Sequence, residues 1–184
     1  MKHFHLFFFA MLLLAACSET TLDEQVDENE RIDTTVFWLE HLDKLDKQLL
    51  AAEELNVEKG WEAFTAFRLF ARKNPEHPKA PLYHMKAAAI ARNIPGKALM
   101  AIEEYMTVYK MYPKDTLAPQ AHFLVGFTFD QALNDNERAV KAYKGFVDQY
   151  PEHMLADQAR NRIAAMESGK DDLQQVKDWQ KQAQ

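Results

Sequence analysis

"YPEHMLADQA", residues 150–159, has two looser copies upstream: "YPKDTLAPQA" at 112–121 and "NPEHPKAPLY" at 74–83. Their prolines, Pro75, Pro113 and Pro151, stand 38 residues apart in both intervals. A spacing that holds twice points to stacked copies of one supersecondary unit, each burying its apolar face against the next. Aligned at that period, Ala63, Ala101 and Ala139 share a column, as do Phe67, Tyr105 and Tyr143, and then Phe70, Val108 and Phe146. Within each copy these offsets put a small residue one turn before an aromatic, with a second apolar group on the same helical face. The small side chain lets two helices approach closely while the ring fills the space beside it. The proline closes the unit, because the residue before it is pushed out of the helical region. A second helix follows each proline, with small-residue columns Ala80, Ala118, Ala156 and Ala88, Gly126, Ala164.

The alignment predicts helix pairs at about 57–73 with 79–92, 97–111 with 117–133, and 137–149 with 155–167, with "NIPG" and "NDNE" as tight turns. Composition agrees. The 184 residues are 47% hydrophobic and 27% charged, with only 5 glycines and 7 prolines, which suits one all-α domain and no sheet.

The spacing A-x3-[FY]-x2-hydrophobic-x4-P resembles the second-helix signature of the tetratricopeptide repeat, lengthened from the usual 34 residues. The Ala or Gly column resembles that family's small position in the first helix. "YP" and "A-x-x-A" are closer still to the envelope subgroup, which includes the periplasmic coordinator of the Tol-Pal system and the repeat lipoprotein of the outer-membrane assembly machine. The resemblance covers about 57–166. It departs in the longer period and in "NP" at Asn74 where the other copies have "YP". It implies an all-α solenoid over 56–168 that binds a protein or peptide in a groove lined by the post-proline helices. Carried over by column, the lining would be Leu82, Met85, Ala89 and Arg92, then Gln120, Phe123, Phe127 and Asp130. Phe123 and Phe127, one turn apart, would be the apolar anchor; the alternative is that they pack between repeats.

The N-terminus, "MKHFHLFFFAMLLLAAC", carries a cation at Lys2, an apolar stretch from about Phe4 to Leu14 and small residues ending at the single cysteine, Cys17. That is the pattern of an export signal. The apolar stretch is about half the roughly 20 residues a spanning helix needs. "LAAC" resembles the bacterial lipobox, which implies a signal peptide over 1–16 and lipidation (palmitate) of Cys17. An ordinary signal peptide is the alternative, but it leaves an exported thiol that cannot form an internal disulfide. Several acyl chains would hold the protein on a membrane stably. Ser18 in place of an aspartate favours, by the same resemblance, the outer membrane facing the periplasm.

Residues 18–35, "SETTLDEQVDENERIDTT", contain seven acids against one base, Arg31. So charged a segment is expected to remain a disordered tether over 17–35. It would span about 24 Å on average and about 60 Å at full extension. Trp38, Leu42, Leu45 and Leu49 then form an apolar helical stripe in 36–55, which either folds back on the first repeat or makes a short coiled coil for self-association. A last helix is expected over 169–184, begun by Asp171 or Asp172, with Leu173 and Val176 covering the final repeat.

Catalysis is not expected. The only serines are Ser18 and Ser168, outside any setting for a nucleophile, and no glycine-rich loop is present to cradle phosphates. His41, His77, His84, His122 and His153 lie too far apart for zincin spacing, and two pairs share repeat columns, so neither metal nor cofactor is expected. Glu103 and Glu104 point about 100° apart on a helix and read as solvated. A chain of net charge −6, with no stripe of Lys and Arg interleaved with aromatics, does not suit nucleic acid. The functional expectation is a membrane-anchored adaptor, with a self-associating spacer, or an accessory subunit of a peptidoglycan or outer-membrane assembly machine, as alternatives.

Overall fold

The computed structural model describes residues 28–52 and 56–182, which form seven α-helices and, among the described residues, no strand. They are α1 (Glu28–Leu50), α2 (Val57–Lys73), α3 (Ala80–Asn93), α4 (Ala98–Met111), α5 (Ala118–Gln131), α6 (Asn136–Gln149) and α7 (Ala156–Gln182). Each packs against its neighbours in sequence, the arrangement expected of a helical repeat.

The columns explain the stacking. Ala63, Ala101 and Ala139 are fully buried, and Phe67, Tyr105, Tyr143, Phe70, Val108 and Phe146 are at most 2% exposed. The third small column differs in its last copy. Ala88 is buried, Gly126 is buried beneath the Tyr143 ring, and Ala164 is exposed, with no following helix among the described residues to cover it.

The joints have their own chemistry. In each, the side chain two residues after the proline accepts the backbone N–H two residues further on: His77 from Lys79 at 3.1 Å, Asp115 from Leu117 at 2.8 Å and His153 from Leu155 at 3.2 Å. Imidazole and carboxylate thus do the same work, holding the turn that starts the next helix. The opposite turns share a left-handed residue, Gly96 with φ 75° and, 38 positions on, Asn134 with φ 51°. Glycine and asparagine are the residues that adopt this region at least cost.

Three expectations change, and the two readings of the 36–55 stripe reduce to one. Residues 28–35 are helical and continuous with α1, so the tether expectation fails there. Extending an existing helix needs no new nucleus and no burial of its own. At its other end α1 stops at Leu50. The 36–55 stripe folds back, with Leu42 fully buried and Leu45 6% exposed in the same core as Phe64 and Tyr83. No separate last helix begins after Gly169: α7 continues through it, since one glycine costs a helix only about 0.5–1 kcal/mol. Asp171 and Asp172 are therefore inside a helix rather than capping one. The covering role expected of Leu173 and Val176 lies outside the described side chains, and Cys17 and the 1–16 leader lie outside the described residues.

Candidate functional site: the face of the post-proline helices

The post-proline helices α3, α5 and α7 begin alike. Ala80, Ala118 and Ala156 are buried in their first turns, and Pro81 and Pro119 occupy the early helical positions where a missing N–H costs nothing. That common start fixes which residues face outward. Leu82, Ala89 and Gln120 are exposed, and Arg92, Phe127 and Asp130 are half-buried. Six of the eight expected lining residues thus retain access to solvent.

Met85 and Phe123 do not. They occupy one column and are only 9% and 4% exposed. Phe123 packs on Tyr143 and Phe146 of α6 with ring centroids 5.3 and 5.6 Å away. It belongs to the packing between helices, so the expected Phe123–Phe127 anchor is corrected to Phe127 alone, stacked 6.4 Å from Phe123. Asn161, the third member of that column, is exposed for the same reason as Ala164.

Polar contacts tie the face together. The Lys86 ammonium meets Asp46 of α1 at 2.6 Å. Asp130 accepts from Arg162 of α7 at 3.2 Å and from the Tyr143 hydroxyl of α6 at 3.4 Å. Burial and the Asp130 charge together push the Tyr143 phenol well above its ordinary pKa, so it stays a donor at any physiological pH. The Arg92 guanidinium lies over the Phe127 ring, 5.2 Å from its centroid.

A second polar cluster was not legible as such in the sequence. Glu104 is fully buried rather than solvated; only Glu103 is exposed. Arg68 Nε donates to Glu104 Oε1 at 2.6 Å, Arg72 reaches the same oxygen at 3.2 Å, and His84 Nδ1 bonds Oε2 at 2.5 Å. Burial would raise the Glu104 pKa, but the hydrogen bonds and charges of His84 and Arg68 outweigh it and hold the carboxyl below its ordinary value. Arg72 also bonds Glu103 at 2.7 Å, so the cluster clamps α2, α3 and α4. Its sequence signal was the column: Glu104 stands where the neighbouring repeats have Ala66 and Ala142. His122 takes the equivalent place of His84 one repeat on, bonding Gln149 at 3.1 Å and stacking 4.1 Å from Tyr109. Burial lowers its pKa, against the Gln149 bond and with Lys110.

Among the described residues no group of three or more His, Cys, Asp or Glu is placed to hold a metal ion, and no helix is long and apolar enough to cross a membrane. The charged clusters described here connect helices to one another. The sequence matches no family model and no curated protein.

Proposed function

We propose that the protein is a lipid-anchored adaptor of the bacterial cell envelope, a tetratricopeptide-type solenoid that binds a protein or peptide along its post-proline helices. One observation carries this reading: the repeat columns bury much of α3 and α5, yet leave Leu82, Ala89, Gln120, Arg92 and Phe127 accessible in register along one side. A surface that recurs with the repeat, and is not consumed by it, is what a binding solenoid needs. The LAAC segment ending at Cys17 supports the anchor, and Ser18 in place of an aspartate supports the outer membrane facing the periplasm as its address. The self-associating spacer is the weaker reading, because Leu42 and Leu45 of its stripe are inside the fold. Binding rather than catalysis is the role.

The test is crosslinking and mass spectrometry on native membranes, comparing wild type with a Leu82→Asp, Ala89→Asp variant whose changes fall on exposed positions. Partners crosslinked to wild type and lost from a normally folded variant support the adaptor. An unchanged set of partners, or crosslinks only between copies of the chain, refutes it.

A further inference from the structure

We propose that Arg92 is a reader of acidic side chains, so that the segment bound on this face carries an Asp or Glu beside an apolar residue. The inference rests on the adaptor reading and gives its partner a chemistry.

The argument is one of elimination among cations. Arg68 and Arg72 hold Glu103 and Glu104, Arg138 holds Asp135, Arg160 holds Asp157 and Arg162 holds Asp130. On the post-proline face itself, Lys86 is already committed to Asp46. Arg92 alone of these arginines has no ion pair and no hydrogen bond among the described residues; it lies over the Phe127 ring, and its charge also acts on the buried Tyr105 phenol. Its column-mate one repeat on, Asp130, is the nearest thing to a counter-ion that the pattern supplies, but Tyr143 and Arg162 draw that carboxylate toward α6 and α7.

Its place over the Phe127 ring uses none of the guanidinium N–H donors, which stay available for bidentate capture of a planar carboxylate. Half-burial strengthens such a bond relative to one at a fully exposed surface. Beside it, the accessible part of Phe127 and the exposed Ala89 offer apolar contact to the neighbouring residue of the segment.

The test uses the detergent-solubilised full chain and random octapeptides tethered to beads through their C-termini, which removes the terminal carboxylate. The expected result is retention of peptides rich in Asp or Glu next to an apolar residue. A retained peptide resynthesised with Gln for its Glu should bind about tenfold more weakly, the loss typical of one charge-assisted bidentate contact. Arg92→Gln should abolish that difference while leaving the circular-dichroism melt nearly unchanged. If Arg92→Gln melts too low to assay, Arg92→Lys, which keeps the charge and loses the fork, should narrow the difference instead. Retained peptides with no acidic preference, or a preference that survives both substitutions, overturn the assignment of Arg92. If binding in that case is still lost in the Leu82→Asp, Ala89→Asp variant, the adaptor reading stands without it. Retention of no peptide by wild type overturns both.

Discussion

Glycine-to-alanine exchange inside a helix ordinarily stabilises, by about 0.5–1 kcal/mol, because alanine has less backbone entropy to lose. Two of the helical glycines, Gly126 and Gly169, should answer this exchange with opposite signs. A Cβ at Gly126 would stand 2.7, 2.9 and 3.0 Å from Cδ1, Cε1 and Cγ of Tyr143, where nothing closer than about 3.4 Å is comfortable. The ring cannot swing aside, being fully buried with its hydroxyl bonded to Asp130. Overpacking of this kind costs about 1–3 kcal/mol, so Gly126→Ala should destabilise by about 1–2 kcal/mol net. For a chain of this size each kcal/mol moves the midpoint by about 2–4 °C, giving a fall of about 2–8 °C in a circular-dichroism melt. At Gly169 an added Cβ meets nothing within 4 Å, and the same exchange should raise the midpoint by about 1–4 °C. A double-mutant cycle locates the cause: in a Tyr143→Leu background the penalty at position 126 should shrink or reverse. Were Gly126→Ala to raise the midpoint as Gly169→Ala does, or the cycle to show no coupling, the packing of α5 against α6 described here would be wrong.

Phe123→Ala and Phe146→Ala should each cost about 3–5 kcal/mol in urea denaturation, since both rings are buried in one cluster; a much smaller loss at Phe123 would return that ring to the binding face. Glu104→Gln should cost about 2–3 kcal/mol at neutral pH, reduced from a fully buried pair by the partial exposure of Arg68. Because the folded carboxyl titrates below its ordinary value near 4.5, its contribution is present above that value and lost as pH falls beneath it. The variant should therefore show a flatter stability profile below about pH 4.5, and an unchanged acid limb would show that Glu104 is not the group responsible. His122 titrates below its ordinary 6.5, so the unfolded chain takes the proton more readily and stability should decline as pH drops from about 6.5. His122→Gln should remove that decline between pH 7.5 and 5.5, measured by denaturant midpoints. On the proposed anchor, Cys17→Ser should abolish incorporation of labelled palmitate, and incorporation that persists in the variant would refute it.

The repeat was legible because burial in a solenoid is periodic: whatever is buried in one unit is buried in the next, and Ala63 predicts Ala101 and Ala139 without reference to coordinates. Two kinds of residue escaped this logic. Helix extents at the chain's ends depend on propagation from a packed neighbour, so the charge of 28–35 and the glycine at 169 carried less weight than the helices they continue. Column membership, for its part, tells which residues are alike and not which way a column faces. Met85 and Phe123 share a column with the exposed Asn161, and only the presence or absence of a following helix separates them.

Where a column breaks its own chemistry, the break marks a particular contact. Glu104 among alanines is the clamp of α2, α3 and α4. Arg92 opposite Asp130 is the same kind of break, and the outcome differs in one respect. The fold completes the first substitution, giving Glu104 three cationic or hydrogen-bonding partners at no exposure to water. The second it leaves beside an aromatic ring, with no ion pair among the described residues. A buried ion without its full set of partners would be strongly destabilising, whereas a half-buried one at the rim of a binding face can be solvated until a ligand arrives. Stability therefore explains Glu104 and does not require Arg92, which accords with the recognition role proposed for it.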